Sequence, residues 1–239
     1  SGSLTDQNQI PNPMQVNPQS VAQAPFDPLP AQLQSYLDAV LAHWAKETAS
    51  IETYRTDFKR WTFEGKPNHT KYAQGIIRYR KPDNGMLKVE ELLFDKGDKG
   101  APAFAQLPGQ FGEWYVCDGT NLHEFDRTEK VVKIYEIPAE LRGVNVFNSP
   151  LPFLFGVKAD EINRRYWVRP VEPPADAATG KIREDIVALE VFPKFQTDAQ
   201  NYSRVKVYLD RKEFLPVMLE VFQPNWTPAN NVMDTYQFD

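Results

Sequence analysis

The spacing of hydrophobic residues changes once along the chain, near residue 50. From residue 31 the apolar side chains recur at i, i+4, i+7, i+8 and i+11, the spacing of one face of an α-helix. They are Leu33, Leu37, Val40, Leu41 and Trp44. This pattern predicts an amphipathic helix that ends near residues 46–48. Its apolar face must be buried, and the strands predicted after it are the only large surface for that purpose.

Beyond residue 50 apolar residues alternate with polar ones, as in antiparallel strands that are wetted on one face. In one such strand Ile77 and Tyr79 alternate with Arg78 and Arg80. Short links join about eleven strands, which favours a meandering antiparallel sheet that must curl or split. We predict them at 51–63, 73–81, 86–94, 166–171, 182–193, 202–210, 214–223 and 232–238, with three more within 113–137.

The stretch 113–137 has the clearest turns. Asp118-Gly119 lies between two apolar-rich runs, and Asp-Gly favours a tight hairpin because such turns need positive φ. Asp126-Arg127-Thr128 supplies the next polar turn. The stretch therefore predicts three strands of continuous sheet, and it contains no catalytic motif.

One apolar segment interrupts the strands. Between prolines at 150 and 152 and a glycine at 156 it contains Leu151, Phe153, Leu154 and Phe155. A loop of this composition must cover an apolar surface. Residues 159–165 follow as a short helix, with acidic residues in its first turn and arginines in its last.

Residues 1–30 differ from the rest. They are rich in Gln, Asn and Pro and show no hydrophobic period, so we predict a flexible leader, with an extended strap as the alternative. Its first three residues, Ser-Gly-Ser, are typical of an expression scar, and an export signal is expected to have preceded it. Residues 31–239 are predicted to form one domain.

Composition excludes some functions. The formal charge of −5 argues against a nucleic-acid surface. The single cysteine, Cys117, allows no internal disulfide and has no CxxC partner. The three histidines lie far apart in sequence, and no nucleophile–base motif is found, so no metal, cofactor or enzyme activity is expected.

The aromatic residues make up 13% of the chain and are spread along the strands. Most are expected to form ordinary core and cross-strand pairs. A large curved sheet with few helical segments to fill it can also leave an apolar cavity of ligand size. The pattern alone leaves both interpretations open.

Several short motifs occur in an order that resembles the LolA-type outer-membrane lipoprotein carriers and their LolB- and RseB-like relatives. The similarity covers about 33–239. Besides the first helix and the segment around 151–155, the motifs are Gly75-Ile-Ile-Arg-Tyr-Arg-Lys-Pro82, Val116-Cys-Asp-Gly-Thr-Asn-Leu-His-Glu-Phe-Asp126, Leu189-Glu-Val-Phe-Pro-Lys194, Val205-Lys-Val-Tyr-Leu-Asp210 and Asp234-Thr-Tyr-Gln-Phe238.

This resemblance implies an α+β fold: an unclosed antiparallel β-barrel of about eleven strands, an N-terminal helix in its mouth and a short helical lid at 150–156. It also implies a periplasmic or cell-envelope protein that binds acyl chains without chemistry or cofactor. The expected cavity or lid residues are Ile77, Tyr79, Leu87, Val89, Leu151, Phe153, Leu154 and Phe155.

One motif departs from the family. The carriers have Lys-Arg-Pro, whose arginine contacts the lid, and here the triplet is Arg80-Lys81-Pro82. Lys81 therefore stands at the position of the lid-contacting arginine. A lysine lacks the planar fork needed for bidentate hydrogen bonds, which puts an open–close switch of that kind in question.

Two functions follow as hypotheses. The first is a monomeric carrier that holds a lipid or an acylated lipoprotein in a hydrophobic cavity. The second is a non-enzymatic envelope sensor or scaffold that contacts a protein partner, which predicts an exposed apolar patch outside any cavity.

Overall fold

The computed structural model describes residues 23–65, 70–82, 84–95, 104–137 and 159–239. Its helices are α1 (Ala31–Ala49), α2 (Ala159–Arg165) and α3 (Gln196–Ala199). Its strands are β1 (Thr53–Phe63), β2 (Thr70–Arg80), β3 (Asn84–Val89), β4 (Glu91–Asp95), β5 (Phe104–Phe111), β6 (Trp114–Asp118), β7 (Asn121–Asp126), β8 (Val131–Glu136), β9 (Tyr166–Val171), β10 (Ile186–Pro193), β11 (Arg204–Asp210), β12 (Pro216–Phe222) and β13 (Met233–Phe238).

All thirteen described strands belong to one antiparallel sheet. The main path has the order β8-β7-β6-β3-β2-β1-β13-β12-β11-β10-β9, and β4 and β5 branch from β2. The path ends at β8 on one side and β9 on the other, so the sheet does not close on itself. The predicted fold class, an unclosed antiparallel barrel with an N-terminal helix, is confirmed.

The branch corrects the predicted strand boundaries. The single strand predicted at 86–94 is two strands, because the chain bends at Glu90. There the N–H of Glu90 donates to the carbonyl of Gln74 (2.7 Å), and the N–H of Gly112 donates to the carbonyl of Glu90 (2.9 Å). A Cβ on residue 112 would lie 2.3 Å from a methyl carbon of Val89, so this approach requires glycine. The stretch 95–112, which lies between two predicted strand regions, contains β5.

Strand alternation gives the sheet an inner and an outer face. On the inner face Phe58 of β1 is 1% exposed and lies opposite Gly75 of β2. A Cβ at Gly75 would lie 2.3 Å from Cζ of the Phe58 ring, so the glycine makes the space that the ring fills. Phe58 also contacts the rings of Tyr236 and Phe238 on β13, at centroid distances of 5.8 and 6.2 Å.

Helix α1 covers part of this inner face, as its apolar stripe predicts. Leu37, Val40, Leu41 and Trp44 are buried and belong to the same hydrophobic cluster as Phe58. Leu33, at the first turn of the predicted stripe, is instead 38% exposed. The helix ends at Ala49, close to the predicted end.

The outer face of β9–β12 contains a buried ion network. The side chain of Glu190 on β10 is 3% exposed and accepts hydrogen bonds from Arg169 (2.5 Å) and Arg204 (2.9 Å). The Arg204 guanidinium carbon lies over the rings of Phe222 and Trp226, at 4.1 and 4.3 Å from their centroids. Two cations thus compensate one almost fully buried carboxylate, and the two rings contact one of those cations.

Candidate functional site

The inner face forms a broad apolar surface because every second residue of each central strand points to it. The residues that share this face and the α1 cluster come from eight strands of the main path. They are Phe58, Ile77, Leu87, Val168, Leu189, Val207, Leu219 and Phe238. The surface is therefore continuous from β3 to β9.

Three of the predicted cavity residues lie together on this surface. Ile77 is opposite Leu87 in the β2–β3 pair, and Val89 follows Leu87 by two residues. Their exposures are 1%, 8% and 0%, and they pack in the same cluster as α1. That they line a ligand cavity remains a prediction.

The other predicted residues are placed differently. Tyr79 is half-buried near the end of β2, and its hydroxyl donates to the carbonyl of Pro82 (3.3 Å). The predicted lid residues lie outside the described residues. They are Leu151, Phe153, Leu154 and Phe155.

Lys81 contacts the end of α1. Its Nζ donates to the carbonyl oxygen of Ala49 (2.5 Å), the last residue of the helix, and lies 3.3 Å from Oε1 of Glu52. A cation here offsets the partial negative charge of the exposed helix carbonyls. Lys81 thus joins the β2–β3 turn to α1, and its expected contact with the segment 150–156 lies outside the described residues.

Sequence reasoning missed a charged group on the inner face. Arg60, two residues after Phe58 on the same face of β1, is 9% exposed. Its Nη1 donates to Oε1 of Glu113 (3.0 Å), and Tyr236 lies opposite it in the β1–β13 pair. One feature of the sequence could have indicated its burial. Arg60 follows Phe58 by two residues, the spacing of side chains on one face of a strand.

The electrostatics of this group are those of a charged pair in a low-dielectric environment. Burial alone would raise the pKa of the Glu113 carboxyl, but the charge and hydrogen bond of Arg60 lower that pKa below its ordinary value. Burial raises the pKa of the Tyr236 hydroxyl to about 12. At neutral pH the group therefore holds one cation, one anion and one neutral phenol.

The described histidines and the cysteine lie apart from one another, and each has its own structural setting. Cys117 is buried at 3% exposure. His43 packs edge-on against the Phe214 ring at 4.4 Å, and His123 Nε2 lies 3.0 Å from Oδ2 of Asp118. The backbone N–H of Asn121 donates to the Asp118 carboxylate, and His123 contacts the same group. The first of these, and to a smaller extent the second, holds the pKa of Asp118 well below its ordinary value. Across the described ranges no group of three or more potential metal ligands is found.

Strand β8, at one end of the sheet, is exposed on both faces. Val131, Val132, Ile134 and Tyr135 have exposures of 46%, 48%, 62% and 49%. Among the helices that the structure describes, none has the length and hydropathy needed to span a membrane.

Comparison with protein-family models and with curated protein sequences finds no match. Solved structures with similar folds are found at low identity. A putative outer membrane lipoprotein-sorting protein domain from Vibrio parahaemolyticus is 10% identical and has a TM-score of 0.39, over 84% of this chain and 89% of that one. A LolA superfamily protein from Nitrosomonas europaea is 10% identical and has a TM-score of 0.34, over 87% and 91%.

A third match is the MucA/MucB complex of Pseudomonas aeruginosa, which is 15% identical and has a TM-score of 0.35, over 83% of this chain and 55% of that one. The chain is similar to these proteins in fold alone.

Proposed function

We propose that this protein binds the acyl chain of a lipid or of an acylated lipoprotein on the inner face of its sheet, without chemistry on the cargo. One observation carries the proposal. Part of the continuous apolar inner face is covered by an amphipathic helix, α1, whose buried contacts are the side chains Leu37, Val40, Leu41 and Trp44. An acyl chain offers the sheet the same kind of surface as that helix face.

The energetics permit such an exchange. Each buried methylene contributes about 0.8 kcal/mol, so a chain of about fourteen methylenes gains roughly 11 kcal/mol before the cost of displacing the helix. Displacing α1 costs its own apolar contacts and the hydrogen bond from Lys81 to Ala49. Because both sides of the exchange are hydrophobic, binding needs no polar recognition of the tail.

The cellular setting is also part of the proposal. The motifs between residues 33 and 239 resemble those of LolA-type carriers, which supports a monomeric protein of the periplasm or cell envelope and a lipoprotein-related cargo. The formal charge of −5 gives no support to a nucleic-acid partner.

A fluorescent fatty acid tests the proposal. We expect saturable binding of BODIPY-labelled hexadecanoic acid to the wild-type protein. Leu41→Ala, which removes a side chain 1% exposed in the helix contact, should bind the probe more tightly because the helix is easier to displace. Leu33→Ala is the matched control, since Leu33 is 38% exposed, and its affinity should equal that of wild type. No saturable binding by wild type or by Leu41→Ala would contradict the proposal.

The exposed strand β8 favours a second candidate, contact with a protein partner. An edge strand presents unpaired backbone groups that can pair with another chain. Ile134 is the most exposed of its apolar side chains, at 62%. A scaffold role predicts that the wild type recovers one stoichiometric partner from an envelope extract and that Ile134→Lys does not. Equal recovery by both proteins would exclude β8 as the contact.

A further inference from the structure

The residues just before α1 form an extended segment that lies against the sheet. We call residues 23–30 the strap. Its prolines at 25, 28 and 30 fix φ and prevent helix, so α1 begins only after Pro30. The carbonyl of Pro30 accepts the N–H of Gln34 (2.9 Å), which joins the strap to the first turn of α1 without a linker.

The outer side of the strap is anchored by Phe26. Its ring lies 5.8 Å from the Phe192 ring of β10 and 5.2 Å from the guanidinium carbon of Arg169 on β9. Both partners are on the outer face, because they alternate with Val191 and Val168 of the inner cluster. Phe26 therefore packs on the outer face of the sheet.

The Arg169 guanidinium that contacts the Phe26 ring is itself held by hydrogen bonds. Arg169 donates hydrogen bonds through Nε and Nη2 to Oε2 of Glu190, at 2.8 and 2.5 Å. Since Glu190 is almost fully buried and is also held by Arg204, the Arg169 guanidinium has little freedom to move away. A ring placed on such a fixed cation gains a cation–π contact at low entropic cost.

The inner side of the strap is anchored by Leu29, which packs against the same hydrophobic cluster as α1. Between Phe26 and Leu29 the chain thus passes from the outer face to the inner face. On the outer face Phe26 contacts β9, the strand at one end of the main path, and its neighbour β10. The strap therefore contacts both faces of the sheet.

We infer that the strap is a latch that holds α1 on the inner face. The helix follows the latch directly, so detaching α1 requires the strap to leave the sheet or to bend sharply at Pro30. While Phe26 is seated, the inner face stays covered. A partner that takes Phe26 off the outer face would raise the population of molecules with an open inner face. The biological use of the latch, control of cargo access, rests on the proposed function.

Hydrogen exchange of α1 tests the latch without any ligand. In Phe26→Ala the amides of residues 31–49 should exchange about tenfold faster than in wild type, the factor expected from loss of one ring pair and one cation–π contact. Asp27→Ala is the matched control, since Asp27 is exposed in the same strap, and its exchange should equal that of wild type. The amides of residues 205–209, in the buried strand β11, report global opening and should not change.

The outcomes separate the latch from the proposed function. Unchanged exchange in residues 31–49, or an equal acceleration in residues 205–209, would overturn the latch. Faster exchange confined to α1 supports it, and the labelled fatty acid then tests the cargo. Tighter probe binding by Phe26→Ala supports both, whereas accelerated α1 exchange with no probe binding in any variant keeps the latch and overturns the proposed function.

Discussion

Replacing Glu113 by glutamine removes the anion that compensates Arg60 on the inner face. The geometry of the site is kept, because glutamine has the same shape and its amide oxygen can still accept the hydrogen bond of 3.0 Å from Arg60 Nη1. What changes is the charge. Arg60, whose side chain is 10% exposed, is then a buried cation without its carboxylate.

The magnitude follows from how far each partner is buried. Removing one partner of a fully buried pair costs about 3–5 kcal/mol, and a fully exposed pair contributes about 0–1 kcal/mol. The Glu113 side chain is 43% exposed, so water already screens one end of this pair. We therefore expect Glu113→Gln to lower the free energy of unfolding by about 2 kcal/mol at pH 7.

The pH dependence has a defined sign. The pKa of Glu113 is lower in the folded protein than its ordinary value. Its stabilising contribution is therefore complete above the ordinary pKa of about 4.3 and is lost as the pH falls through the lower folded value. The difference between wild type and Glu113→Gln should be constant between about pH 6 and 8 and should shrink towards pH 3.

Urea denaturation followed by circular dichroism measures these differences. Glu129→Gln, at an exposed position of the β7–β8 turn, is the matched control and should change stability by less than about 0.5 kcal/mol. The double variant Arg60→Met/Glu113→Gln should recover most of the loss, because it leaves no buried charge. A loss below about 0.5 kcal/mol for Glu113→Gln, or a loss that is the same at pH 3 and pH 7, would refute this reasoning.

Three further predictions concern packing. Leu41→Ala should lower the free energy of unfolding by about 2–5 kcal/mol, whereas Leu33→Ala should cost little, as thermal denaturation would show. Gly75→Ala should lower the melting temperature, because its Cβ would overlap the Phe58 ring at 2.3 Å; an unchanged melting temperature would mean that the ring relaxes freely. Ile134→Lys, on the exposed strand β8, should leave stability within about 0.5 kcal/mol and reduce any self-association seen by light scattering.

Much of the fold could be predicted because alternation is a local property. The alternation of Ile77 with Arg78 predicts which face Ile77 occupies, and the structure buries it there beside Leu87 and Val89. The break between β3 and β4 could not be predicted in this way. Apolar residues occur both before and after Glu90, so the alternation gives no sign of a break there. The bend depends on the close approach of Gly112, which lies more than twenty residues further along the chain.

The polar and aromatic contacts of the site were harder to predict for a similar reason. Arg60 meets Glu113 across 53 residues, so no local pattern connects them. Phe26 lies in a leader whose Pro-rich composition predicts flexibility, and nothing near it in sequence indicates that Arg169 and Phe192 would receive its ring. These contacts arise from the order of strands in the sheet.

The central claim, that α1 covers a surface that accepts an acyl chain, is tested most directly by hydrogen exchange of residues 31–49 during a titration with hexadecanoic acid. Displacement of the helix predicts that exchange in α1 accelerates as the fatty acid saturates the protein, while exchange in residues 205–209 stays constant or slows. If the fatty acid leaves exchange in α1 unchanged at every concentration, the inner face is an ordinary core and the claim is wrong.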